Sequence, residues 1–176
     1  MKTFKLIIVI IVVILLGAAA EFAMGRRLWG VGGTPGFWSG DIWSEHNSQF
    51  LFDPYVFTHV THGVLFYALA GNRLLVAVGL ETAWEVLENS PLVIERYRAE
   101  TISLNYYGDS VANSVSDILA CISGFLLARQ LPKMVTIFGT IALEILLLIW
   151  IRDNLTLNII MLIRPLDAIR TWQLGT

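Results

Sequence analysis

The run LIIVIIVVILL, Leu6 to Leu16, is eleven consecutive branched or long aliphatic residues. It opens an apolar segment, Leu6 to Met24, long enough to cross a bilayer as a helix. Lys2 and Lys5 precede it and Arg26-Arg27 follow. Basic residues, a short apolar core and then Ala18-Ala19-Ala20 also fit a signal peptide, but the reading taken is a retained helix. The rest of the chain agrees with a lipid solvent. Of 176 residues, 56% are hydrophobic and 15% charged, far from soluble composition, and mean hydropathy is +0.67. With Lys+Arg 12 against Asp+Glu 14 there is no basic surplus, so a nucleic-acid partner is excluded. Cys121 is the sole cysteine, which excludes a disulfide framework and a thiolate metal site.

Four further spans follow at residues 54–70, 73–89, 110–131 and 134–151. The second and third are short and carry ionisable residues, so they belong in the interior of a bundle. A polar stretch, Ser90 to Asp109, joins the third and fourth spans. Residues 153–172 contain an apolar run, Leu157 to Ile163, too short to span and stopped by Pro165. They read as an interfacial or re-entrant helix anchored by Trp172. The expectation is one all-α membrane domain over residues 1–176, a polytopic bundle of about five transmembrane helices plus that C-terminal helix. Lys2, Lys5, Arg73, Arg129 and Lys133 fall on short segments of one side without an acid. Seven other basic residues are diluted over long segments of the opposite side, so charge density favours a cytoplasmic N-terminus.

Ionisable groups within spans are costly and mark sites. The second span carries His59 and His62 in HVTHG; the third carries Glu81, Glu85 and Glu88 in ETAWEVLENS; the fourth carries Asp109, Asn113 and Asp117 in GDSVANSVSD. Spacings of three and four put each set on one helical face. At about 1.5 Å per residue, His59, Glu85 and Asn113 lie roughly 6–8 Å below the outer boundary, and His62, Glu81 and Asp117 roughly 12 Å below it. The matched depths imply one polar pocket opening outward, in which His62, Glu85 and Asp109 or Asn113 meet.

HVTHGVLFYAL, ETAWEVLENSPLVIERYRAETISLNYYGDSVANSVSD and IRDNLTLNIIMLIRPLDAIRTWQ resemble an uncharacterised family of bacterial integral membrane proteins that carries a domain-of-unknown-function label. The resemblance implies the bacterial inner membrane and brings no activity with it. A looser similarity is to VanZ-like membrane proteins, with His62, Glu85, Asp109 and Asn113 at the matching positions. This chain adds His59 and Asp117 and has Thr58 where those proteins tend to carry an acid.

Histidine with carboxylates points to acid–base chemistry or a divalent metal ion held by His59, His62, Glu85 and Asp117. The bland alternative is a hydrogen-bonded packing core. HxxH lacks the glutamate of HExxH, so spacing alone does not specify zinc. Arg96 and Arg98 either clamp an anionic head group or pair with Glu95 and Glu100 in a solvated loop. Glu144, midway along the fifth span, either joins the pocket or stays protonated. Three readings remain. One is an intramembrane hydrolase or transferase acting on a membrane lipid or lipid-linked head group. In it His62 or His59 serves as base or ligand, Glu85 and Asp109 as ligands or acid–base partners, Asn113 as substrate-orienting group, and Arg96 and Arg98 as substrate-binding groups. The second is an accessory subunit of a larger membrane complex. The third, an ion or proton pathway, is opposed by the apolar inner halves, Leu65–Ala70, Leu74–Gly79 and Leu119–Ala128.

Overall fold

A computed structural model describes residues 2–175. Among them are eight helices: α1 (Lys2–Ala23), α2 (Val56–Ala70), α3 (Leu74–Glu88), α4 (Pro91–Glu100), α5 (Val111–Gln130), α6 (Lys133–Ile151), α7 (Leu155–Ile163) and α8 (Asp167–Leu174). The fold is all-α, and the five predicted spans are the five longest helices. Among the described residues, three are long and apolar enough to cross a membrane, within α1, α5 and α6. At 15 residues each, α2 and α3 fall short of that length. Two boundaries need correction. The stretch 90–109, read as polar loop, contains α4, because Ser90 is extended and Pro91 starts the helix with its φ already set. The single expected C-terminal helix over 153–172 is two, separated at Arg164–Leu166 around Pro165.

Helix α5 forms the core. Its face of Ile118, Cys121, Phe125 and Ala128 is buried, and α2 lies along it as the most extensive helix pair. Two glycines set that approach. A Cβ on Gly63 would stand 1.9 Å from the Cys121 carbonyl oxygen, and one on Gly124 would stand 2.0 Å from that of Val60. Small residues are what let helix backbones meet in a membrane, where no hydrophobic force drives helices together. Helix α3 packs on α5 and α2, α1 covers α3, and α6 lies beside α2 and α5. The outward sides of α1 and α6 stay apolar and exposed, with Leu16 at 65% and Ile149 at 76%.

The start of α2, the end of α3 and the start of α5 lie at one end of the bundle, beneath α4 and the segment before α2. That segment closes the exposed backbone of α5. The amides of Ser110, Val111 and Ala112 donate to the carbonyls of Ser48 (2.8 Å), Arg27 (2.9 Å) and Leu28 (3.0 Å). These are the N–H groups a helix start leaves without internal partners. Ser110 adds its own hydroxyl as acceptor for the Asn113 amide at 3.2 Å.

Glu144 does not join the pocket. Its carboxylate caps α7, accepting from the amides of Leu155 (3.3 Å) and Thr156 (3.1 Å) and from the Thr156 hydroxyl (2.8 Å). A negative group at a helix N-terminus meets free N–H donors and the positive end of the helix dipole.

The glycine contact yields a stability prediction. Gly63→Ala should lower the thermal midpoint and the yield of monodisperse protein in detergent, with an overpacking cost of about 1–3 kcal/mol or more. Gly139→Ala is the comparison, since a Cβ there meets open space. Equal stability of the two variants by size-exclusion thermal melting would refute the close approach of α2 and α5.

Candidate functional site

The three polar stripes converge at the capped end of the bundle. His59 Nδ1 lies 2.6 Å from Glu81 Oε1, and His62 Nδ1 lies 2.9 Å from Glu81 Oε2. In a neutral ring each pairing makes Nδ1 the donor and leaves Nε2 as the acceptor nitrogen. His59 also touches the other stripes: Nδ1 is 3.2 Å from Glu85 Oε1, and Nε2 is 3.9 Å from Asp117 Oδ2. Glu81 and Glu85 are fully buried, and His59 and Asp117 nearly so.

Glu81 thus orients both imidazoles, a carboxylate–histidine arrangement that fixes tautomer and ring plane. Sequence spacing put Glu81 in the stripe but not among the candidate site residues. It also joined His62 to Glu85, whereas the structure joins His62 to Glu81 and gives Glu85 to His59. Depth supplied the missing signal, because His62 and Glu81 fall on the same level.

Asp109 sits where the polar stretch enters α5. Its Oδ2 accepts from the Tyr106 hydroxyl at 2.9 Å and from Asn89 Nδ2 at 3.1 Å, while its amide donates to Asn89 Oδ1 at 2.7 Å. Glu85, Glu88 and Asp109 come together as one group, and His59, Glu85 and Asp117 as another. In each, ligand atoms lie within 4.8 Å of one another. Asn113 faces the same space and donates through Nδ2 to the Leu51 carbonyl at 3.4 Å. Asp53, at the foot of α2, accepts from the amides of Ser48 and Tyr55, both at 2.8 Å. Burial nevertheless pushes its carboxyl up to about 6, and burial likewise raises that of Asp109.

A cavity of about 480 Å³ runs from this cluster between α2, α3 and α7. Its polar end is lined by Asp53, His59, His62, Glu88, Asp109, Asn113 and Asp117, and Glu81 and Glu85 stand behind that wall. Its apolar end is lined by Leu65, Phe66 and Leu69 of α2, Leu80, Trp84 and Leu87 of α3, and Ile159 and Leu162 of α7. Leu69 is 83% exposed and Leu80 49%, so this end opens on the outer surface of the bundle.

Arg96 and Arg98 lie outside the lining. Arg96 donates through Nε to the Leu162 carbonyl at 3.0 Å and pairs with Glu100 at 3.3 Å, and Arg98 donates to the Tyr106 carbonyl. Glu21, near the end of α1, is fully buried beside this polar end and was not singled out from sequence. Trp38, in the segment before α2, stacks on Trp150 with ring centroids 6.1 Å apart.

Comparison with known proteins matches residues 21–175 to the family described as "Protein of unknown function (DUF2585)". Similar curated proteins include the UPF0314 protein of Brucella anthropi, 49% identical over 152 residues, covering 81% of this chain and 77% of the relative. The UPF0314 protein of Rhizobium meliloti is 50% identical over 147 residues, covering 78% and 75%. That of Sphingopyxis alaskensis is 46% identical over 167 residues, covering 90% and 89%. No solved structure matches the chain.

Asp153 supports the site from below through Tyr55, and its titration is measurable. It accepts from the Asn154 amide (2.9 Å), Gln173 Nε2 (3.0 Å) and the Tyr55 hydroxyl (3.2 Å). Burial outweighs these donors and raises the carboxyl to about 7. The folded value lies above the unfolded one of about 4, so the protonated form favours the fold. The stability it contributes is complete below about pH 4 and is lost as pH rises through about 7. The thermal midpoint of the wild type should therefore fall more between about pH 5 and pH 8 than that of Asp153→Asn. Parallel pH profiles for the two proteins would contradict the assignment.

Proposed function

The chain belongs to the DUF2585 family, and from that premise we propose that it is an intramembrane hydrolase or transferase acting on the head group of a lipid or lipid-linked substrate. The single observation that carries this reading is the amphipathic cavity, with acid–base groups at one end and exposed leucines at the other. From His62 to Leu69 the wall advances seven residues of α2, about 10 Å, which suits the first part of an acyl or isoprenoid chain. The head group would then lie against His62, Asp109 and Asn113. His62 is a suitable general base, since Nδ1 is tied to Glu81 and Nε2 is left to accept a proton. Asp109, held by the Tyr106 hydroxyl, stands beside it as acid–base partner or metal ligand, and Asn113 orients the substrate. Arg96 and Arg98 bond to carbonyls of two lining residues, so in this reading they act on an anionic head group through their charge rather than by a bidentate clamp.

In this reading residues 1–176 form one domain of the bacterial inner membrane with five spans and a cytoplasmic N-terminus, and the polar end faces outward. Short basic turns such as Arg73 and Arg129–Lys133 support that orientation. An accessory subunit of a larger complex would draw on the exposed faces of α1 and α6 but has no use for the cavity. An ion pathway would need polar groups along the inner halves of α2 and α3, where the lining is leucine and phenylalanine.

Topology is open to labelling, because the native Cys121 is buried. An impermeant thiol reagent applied to spheroplasts should modify Glu95→Cys and leave Asn72→Cys unmodified, and the reverse pattern would invert the topology. The enzymatic reading is tested by substitutions that preserve size. His62→Gln and Glu85→Gln should retain folded protein by gel filtration in detergent yet lose most of the ability to restore the lipid profile of a strain lacking the gene. Loss in step with abundance, at about the 1–3 kcal/mol that a mispaired buried group costs, would indicate a structural network. Full function in well-folded variants would end the catalytic reading.

A further inference from the structure

Glu85 presents a problem that the acid–base reading does not solve. Both of its carboxylate oxygens are buried and neither receives a hydrogen bond. His59 Nδ1 stands 3.2 Å from Oε1, but that nitrogen carries one hydrogen, and Glu81 at 2.6 Å takes it. Asp117 Oδ1 is likewise buried and without a hydrogen-bond partner. An ionised carboxylate so placed is strongly unfavourable. Protonation is only half a remedy for Glu85, because it would still leave the remaining oxygen of the acid buried without a donor. What satisfies a bare buried carboxylate is a cation.

The surroundings are built for one. Glu85 is the residue common to two groups of candidate ligands, His59–Glu85–Asp117 and Glu85–Glu88–Asp109. Ligands at about 2.1 Å from a shared ion stand about 3–4.2 Å from one another, so donor atoms within 4.8 Å need little closure. His59 offers Nε2, oriented through the bond from Nδ1 to Glu81, and Asp109 is held by Tyr106 and Asn89. Such outer hydrogen bonds aim ligands at a metal. His59, Asp117, Glu88 and Asp109 all line the cavity, which supplies a path of entry.

We propose that Glu85 bridges two divalent cations, one completed by His59 and Asp117 and the other by Glu88 and Asp109. The inference rests on the reading of this cavity as the working site. A donor set of carboxylate oxygens with a single imidazole favours a hard ion of the Mn²⁺ or Mg²⁺ class over zinc. Paired ions bridged in this way stand about 3.5–4 Å apart.

The test is metal stoichiometry on the full-length protein in detergent, stripped with chelator and titrated with Mn²⁺. The expected result is two equivalents per chain, with the electron paramagnetic resonance spectrum of an exchange-coupled pair. Asp117→Asn and Asp109→Asn should each remove one equivalent and abolish the coupling, Glu85→Gln should abolish the coupling, and Glu95→Gln should retain both. Fewer than two bound ions in the wild type, uncoupled ions, or a coupled pair that survives Glu85→Gln in folded protein would overturn the proposal. If Glu85→Gln does not fold, the wild-type stoichiometry and spectrum decide alone. Metal-free wild type alongside a folded but non-complementing His62→Gln overturns the metal pair and leaves the acid–base reading standing. A coupled pair alongside fully complementing variants supports the metal site and ends the enzymatic reading.

Discussion

The approach of α2 to α5 through Gly63 and Gly124 is the constraint on which the polar end depends. A Cβ at either position would overlap a backbone carbonyl of the other helix. Bare backbones at this crossing let His59 and His62, one turn or less from Gly63, stand against α3 and α5 together. Wider separation would draw His59 away from Asp117, already 3.9 Å off, while leaving it on Glu81. Packing and chemistry are therefore coupled at one glycine, in a solvent where van der Waals fit supplies much of the association between helices.

Burying so many carboxylates requires that each be answered locally. Glu81 is answered by two imidazoles, Asp109 by Tyr106 and Asn89, Asp53 by two backbone amides, and Glu144 by the start of α7. Both oxygens of Glu85, one of Asp117 and one of Glu21 have no such answer. A network that served packing alone would gain from replacing Glu85 with an apolar side chain, since a half-satisfied polar core is worse than none. Its presence beside His59 is the feature that packing alone leaves without a reason.

The segment before α2 and the short helices α4, α7 and α8 act as a lid on the same end. The segment supplies carbonyls to the first turn of α5, and α7, capped by Glu144, walls one side of the cavity with Ile159 and Leu162. Meanwhile the trough formed by Leu65, Leu69 and Leu80 stays open. The cavity therefore has a closed polar end and an exposed apolar end.

Composition and the run Leu6–Leu16 by themselves determined the membrane class and all-α fold, because a bilayer admits few ways to satisfy a backbone. Helix periodicity determined which polar residues share a face, and rise per residue determined which share a depth, since both are local properties of one helix. That arithmetic puts His59 level with Glu85 and His62 level with Glu81, whereas Asp117, on the deeper level, comes to 3.9 Å from His59 in the structure. The α4 helix was hidden in a polar stretch whose hydropathy resembles a loop. Partner choice lay beyond local rules elsewhere: Glu144 to α7 rather than the pocket, Arg96 and Arg98 to carbonyls rather than the lining. Each depends on how far one helix is rotated and how closely it approaches another. Those quantities are set by contacts distant in sequence, at Gly63 against Cys121 and Gly124 against Val60, and only the tertiary structure decides them.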